Sequence, residues 1–325
     1  MAWIPPPWFD AARAEVNGAI AHDRLAHGLL IHEDPGAGGL ELARWIAMRV
    51  NCQVPVGTSR EPCGECQSCK WLLADQHPDV TRLSPEEDSQ YIKVEPVRDL
   101  IADLTLTAHG RGYKVAIFEP ADALYPNAAN SLLKTLEEPP ARTLIMLVTS
   151  QPSRLLPTLR SRCSKLRLTG PSRADAARFL TDRQGAGPWE DALAATGAGP
   201  FNLIGADANA LAELRADTLR TLREVGSGNI QPPAVADKWA RGELGIRLAC
   251  VESWITERIL ESTANRDVTH LSGQGSSPNI CRLFELSDAV RDMRKLSHTS
   301  INKTMAVEAL LWRWAQSSRT GAGRA

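Results

Sequence analysis

SLLKTLEEPPARTLIMLVTSQPSRLLPTLRSRC, residues 131–163, decides the fold class. Leu132, Leu133 and Leu136 continue an apolar face begun at Ala128, so 127–138 reads as a helix. Pro139-Pro140 stops it, because proline offers no N–H and its ring clashes with the preceding turn. TLIMLVT (143–149) is then a short apolar run of strand length, and KLRL (165–168) is a second strand. Working outward, HGLLIH (27–32), VTRLS (80–84) and YKVAIF (113–118) read as further strands. Helical patterns fall between them, over 40–50 and through Val97, Leu100, Ile101 and Leu104. Strands alternating with helices imply right-handed crossovers and a parallel sheet covered on both faces.

Beyond Pro171 the strand signals stop. Helical patterns broken by RQGAGP (183–188) and TGAGP (196–200) predict a small helical domain over 170–208. A third, all-helical section is expected over 209–318, with breaks at GSGNIQPP (226–233) and LSGQGSSPN (271–279). Its long periodic stretches are LACVESWITERIL (248–260) and MAVEALLWRWA (305–315). The end, 319–325, is expected to be a flexible tail.

The 325 residues suit two to three domains. Lys and Arg total 37 against 38 Asp and Glu, which argues against a dedicated basic nucleic-acid binder while leaving a local basic patch open. No run approaches the ~18 consecutive apolar residues of a membrane span. MAWIPPPWFD at the N-terminus lacks the basic and apolar regions of a secretory signal. Seven unevenly spread cysteines in a chain this long point to a reducing cytosol.

Four of those cysteines carry chemistry. Cys52, Cys63, Cys66 and Cys69 form C-x10-C followed by C-G-E-C-Q-S-C. Two linked C-x2-C steps suit a tetrahedral thiolate site, and soft sulfur at this spacing favours zinc over an iron–sulfur cluster. Four thiolates leave no open position, so the ion would be structural; the alternative is four free thiols in a loop. Cys163, Cys250 and Cys281 read as small buried hydrophobes.

The turn after the first strand is His32-Glu33-Asp34-Pro35-Gly36-Ala37-Gly38-Gly39-Leu40. In a working phosphate loop a Lys reaches the β/γ-phosphates and a hydroxyl holds Mg²⁺. With Gly38 as the second motif glycine, Gly39 stands at the Lys position, Leu40 at the hydroxyl and Glu33 at the first glycine. Backbone N–H groups here could hold an anion weakly, but a plain strand-to-helix turn is the better reading. The strand VAIF (115–118) runs into Glu119-Pro120, where a nucleotide hydrolase carries Asp-Glu, and proline cannot act as a base. Between Glu138 and Asp175 there is no acid, but there are Arg142, Arg154, Arg160, Arg162, Lys165, Arg167 and Arg173. Most read as a solvated face. Arg162, in Ser161-Arg162-Cys163 directly before a strand, is placed to reach a phosphate on a neighbouring subunit.

Residues 131–163 closely resemble the clamp-loader branch of the AAA+ ATPases, which carries L-L-K-T-L-E-E-P-P and S-R-C motifs. The cysteine segment 51–79 is similar to the zinc module of bacterial clamp loaders, and the likeness runs over 20–170. It implies a RecA-like P-loop-type α/β domain over 1–169 with the four-cysteine zinc insert at 52–69, a helical lid (170–208) and an all-α collar (209–318). It further implies a five-subunit ring with ATPase neighbours that opens a sliding clamp and loads it on primed DNA in bacterial replication. A member without its own ATP site would be the non-hydrolysing stator, and Arg162 its arginine finger in trans. Thr149 falls at the sensor-1 position, and Asn202, in Gly199-Pro200-Phe201-Asn202, replaces a sensor arginine. Two rivals stand beside this reading. An active ATPase motor subunit is opposed by Gly39, Leu40 and Pro120, and nucleotide titration separates it. A zinc-dependent nucleic-acid adaptor is opposed by the balanced charge and by an insert pairing Glu61 and Glu65 with Arg60 and Lys70; the salt dependence of DNA binding separates it.

Overall fold

The computed structural model describes residues 5–58, 60–86, 89–110, 112–269, 280–296 and 302–319. The chain divides into two compact units, Met1–Pro171 and Ser172–Ala325. In the first, the elements run α1 (Asp10–Ala21), β1 (Gly28–Glu33), α2 (Gly39–Asn51), α3 (Gln67–Leu73), β2 (Val80–Leu83), α4 (Val94–Leu104) and β3 (Lys114–Phe118). They continue as α5 (Pro126–Glu137), β4 (Thr143–Thr149), the single-turn α6 (Pro157–Arg160) and β5 (Ser164–Leu168). Among the described residues the sheet has five strands in the order β2-β3-β4-β1-β5, every pair parallel. β1 lies between β4 and β5, with Ile31 opposite Val148 on one side and Leu166 on the other.

Every residue of β3 and β4 is buried, which is why TLIMLVT shows no polar alternation. Side chains along β4 still alternate between faces. Ile145 and Leu147 pack with Val97, Leu100, Leu132 and Leu136 of α4 and α5. Val148 belongs to the opposite parity and lies against the start of α2 at Gly39. Burying each such aliphatic side chain contributes about 1.5–3 kcal/mol. α5 starts with Pro126 in its first turn and ends at Glu138, which leaves helical geometry at φ −128, ψ 71 just ahead of Pro139.

The second unit is helical: α7 (Arg173–Gln184), α8 (Trp189–Thr196), α9 (Ala208–Ser227), α10 (Pro232–Arg241), α11 (Leu244–Thr269), α12 (Ile280–Leu296) and α13 (Lys303–Arg319). Among its described residues two hydrophobic clusters form. One joins Ala176 and Leu180 of α7 to Trp189, Ala192 and Leu193 of α8 and to Leu203. The other gathers Leu222, Trp239, Leu248, Val251, Ile255, Val290 and Leu311 from α9 to α13. Leu248, Val251 and Ile255 recur at helical spacing and form the inward stripe of α11. The Asp207 carboxylate caps α9 by accepting from the N–H groups of Asn209 and Ala210 at 2.9 and 3.2 Å. Gly228, at φ +80, terminates the same helix in the left-handed region.

The expected loop 271–279 and most of the expected tail, 320–325, lie outside the described residues; Arg319 is the last residue of α13. One expectation is corrected here. Cys163 and Cys250 are buried, and burial pushes both thiols up to about 11, but Cys281 is exposed in the first turn of α12. No described helix is long and apolar enough to cross a membrane.

Candidate functional site

The four cysteines of the insert converge. Cys52 follows the last residue of α2, Cys63 lies in the connecting loop, and Cys66 and Cys69 flank the start of α3. All four sulfurs lie within 4.8 Å of one another. Cys52 Sγ to Cys63 Sγ is 3.6 Å and Cys63 Sγ to Cys69 Sγ is 4.0 Å. A disulfide would need ~2.05 Å, whereas ~2.3 Å bonds to one tetrahedral ion place sulfurs ~3.8 Å apart. The backbone N–H of Cys63 donates to Cys52 Sγ and that of Cys66 to Cys63 Sγ, at 3.3 and 3.2 Å, as thiolates require. Burial pushes the Cys52 and Cys69 thiols up. It acts the same way on Cys66, but hydrogen bonds involving Cys69, Gln53 and Cys63 outweigh it and bring Cys66 down to about 6. The cluster can hold a metal ion.

The insert is anchored to α1 and α2 by Glu61, which the sequence reading counts only in the charge balance of the insert. The Glu61 carboxylate accepts from Trp45 Nε1 at 3.1 Å and Asn17 Nδ2 at 3.3 Å, and pairs with Arg13 at 2.8 Å. In α3, Ser68 Oγ lies 3.0 Å from Nε2 of His77, which follows the helix and sits beside buried Asp79. This is not a nucleophile and its base. His77 Nδ1 accepts the N–H of Asp79 at 3.1 Å, so Nε2 carries the proton and donates it to Ser68. Asp79 is spent on the N–H groups of His109 and Gly110.

The strand-to-helix loop lies at the carboxyl end of β1, where open α/β sheets bind their ligands. Gly38 stands at the N-cap of α2 with φ +103, a conformation glycine allows. The Gly38 and Gly39 N–H groups point at one acceptor, Glu33 Oε2, at 3.0 and 2.6 Å. Burial pushes the Glu33 carboxyl up; its hydrogen bonds with Gly39 and Gly38 oppose that, and Glu119 and Asp34 add to it. Leu40 follows in the first turn of α2 with no hydroxyl to offer. Gly36 also has positive φ, +72. The loop is tied at both ends: Trp8 Nε1 donates to the Ala37 carbonyl at 2.8 Å, and Gly170 N–H to Asp34 Oδ2 at 2.9 Å. Trp8 carries no motif signature, so only its position reveals the contact.

The neighbouring strand ends are likewise engaged within the chain. Glu119, after β3, pairs with Arg82 of β2 at 2.6 Å, and Pro120 follows it. The Thr149 hydroxyl, at the end of β4, donates to Asp122 Oδ1 at 2.5 Å. Asn202 lies in a 3-10 turn of the helical unit, its N–H donating to the Gly199 carbonyl at 3.1 Å. Arg162 sits two residues before β5, an edge strand. Its Nε and Nη2 reach Glu137 Oε1 at 2.7 and 2.5 Å, Nη1 donates to the Thr158 carbonyl at 3.0 Å, and the side chain is 35% exposed. Ser161 turns its hydroxyl to the Thr158 carbonyl at 3.1 Å, and Cys163 is buried with α5 and α6. The arginine-rich run is largely paired: Arg154 with Asp122, Arg167 with Asp34, Arg173 with Glu257.

The sequence family described as "DNA polymerase III, delta subunit" matches residues 10–172. DNA polymerase III subunit delta' of Pseudomonas aeruginosa is 32% identical over 324 residues, covering 95% of this chain and 97% of that protein. DNA polymerase III subunit delta' of Yersinia pestis is 41% identical over 180 residues, 55% of this chain and 52% of that protein. DNA polymerase III subunit tau of Salmonella typhimurium is 33% identical over 172 residues, 51% of this chain and 26% of that protein.

Proposed function

Because the chain belongs to the family of DNA polymerase III delta' subunits, we propose that it is the non-hydrolysing stator of a bacterial clamp loader, a component of the DNA polymerase III holoenzyme in the cytoplasm. In this reading its partners are the ATPase (gamma/tau) subunits and the delta subunit of a hetero-pentameric ring. Through them it acts on the sliding clamp and primer-template DNA. The α/β unit is RecA-like; the helical segment 170–208 is the lid, and 209–318 the collar that joins the ring. Two separate hydrophobic clusters in the helical unit support that division.

The observation that carries the non-hydrolysing role is the loop itself. Gly39 and Leu40 lack the ammonium and hydroxyl that hold a nucleotide's phosphates and Mg²⁺, and a carboxylate sits on the backbone N–H groups. Pro120 removes the water-activating base on the adjacent strand. In this reading Arg162, just ahead of edge strand β5, supplies a guanidinium that stabilises charge developing on a neighbour's transferring phosphoryl group. Cys52, Cys63, Cys66 and Cys69 would hold a structural Zn²⁺, which would lock the insert and leave no position for substrate. Co-purification with an ATP-binding partner subunit tests the assignment. The full chain should enter that complex and, alone, show no saturable ATP binding; failure to enter it would refute the proposal.

A further inference from the structure

We infer that the Glu33 carboxylate is a built-in occupant of the strand-to-helix loop, holding the backbone N–H groups that a phosphate would take, so that the loop is sealed rather than merely unequipped. The geometry is that of an anion at a helix start. One oxygen, Glu33 Oε2, accepts from two successive N–H groups, Gly38 and Gly39. A third loop N–H, that of Ala37, is spent on the Asp34 carbonyl at 2.9 Å.

Glu33 and Gly39 are a matched pair. A Cβ at residue 39 would lie 2.8 Å from Glu33 Cδ and 3.1 Å from Glu33 Oε1, so only the lack of a side chain lets the carboxylate in. The same two substitutions that erase a phosphate loop therefore fill it: the lysine position is empty, and the first-glycine position supplies the anion. An incoming polyphosphate would have to displace Glu33 from these N–H groups.

This deepens the proposed absence of nucleotide binding and uses none of the proposed ring contacts. The test is calorimetric titration of inorganic pyrophosphate into the full chain, as wild type, Glu33→Ala and Glu33→Gln. Wild type should give no saturable binding. Glu33→Ala should bind saturably, at least about tenfold more tightly than the weakest binding the titration can detect, the worth of about one charge-assisted hydrogen bond. Glu33→Gln keeps an oxygen on both N–H groups and should stay closed. Saturable binding by wild type overturns both the seal and the proposed loss of nucleotide binding. No gain in Glu33→Ala, with wild type silent, overturns the seal alone. Should that variant not fold, amide hydrogen exchange at Gly38 and Gly39 in wild type decides: protection of about tenfold or more supports the seal, and exchange at the unstructured rate overturns it.

Discussion

Arg162→Ala separates a role in the chain from a role in the assembly, because the structure makes the two effects very different in size. Within the chain Arg162 contacts Glu137 and the Thr158 carbonyl, with the two charged side chains 35% and 51% exposed. An ion pair this wet is worth about 0–1 kcal/mol, because water and salt screen it. That corresponds to a fall in melting temperature of at most about 2–4 °C for a unit of this size. A guanidinium supplied in trans to a transferring phosphoryl group is worth ~10³–10⁵ in rate at the site it faces. The purified Arg162→Ala chain should therefore fold and enter the complex like wild type. DNA-stimulated ATP turnover of the reconstituted loader should fall in part, since one site loses its arginine, and clamp loading should fall further. Arg162→Lys should rescue little, because a single ammonium cannot fork onto two oxygens. Glu137→Gln is the control: it removes the intrachain partner, leaves the guanidinium, and should preserve turnover. Normal clamp loading by the Arg162→Ala complex would refute the trans role.

Purified protein should contain one zinc per chain by elemental analysis. Cys69→Ser, at the fully buried ligand, should release it and loosen residues 52–73 while the sheet, whose core lies in β3 and β4, stays folded; metal-free wild type with four titratable thiols would sink the assignment. Gly39→Ala should destabilise the α/β unit by about 1–3 kcal/mol in urea unfolding, because the new methyl would sit 2.7 Å from Val148 Cγ1 and 2.8 Å from Glu33 Cδ; unchanged stability would mean the contact is slack. In the helical unit, burial works to raise the Asp217 and Glu252 carboxyls, but Arg247 and Lys238, and Arg291 and Arg294, outweigh it and hold both below their ordinary values. A carboxyl lowered on folding contributes stability that is present above its unfolded pKa and lost as pH falls through its folded one. Calorimetry should therefore show the helical unit losing stability below about pH 5, with a shallower loss in Asp217→Asn; a flat profile down to about pH 3.5 would contradict these pairings.

Much was legible in the order of residues because the signals are local. Pro139-Pro140 ends α5 by removing a donor, TLIMLVT is a strand because both its faces are covered, and C-x2-C spacing brings sulfurs together over a few residues. That Gly39, Leu40 and Pro120 offer no ammonium, hydroxyl or carboxylate is equally plain in the order of residues. What tertiary structure alone decided is where each remaining charge goes. Glu61 enters the sequence reading only as an acid that balances the bases of the insert, yet it ties the insert to Trp45, Asn17 and Arg13. Cys281 shows the reverse, exposed although its residue type favours burial. Glu33, read from sequence only as the residue in place of the first motif glycine, turns back onto two N–H groups because Gly39 leaves the space. Such pairings depend on the chain's return after tens of residues, and on a few ångströms of room that no local pattern encodes.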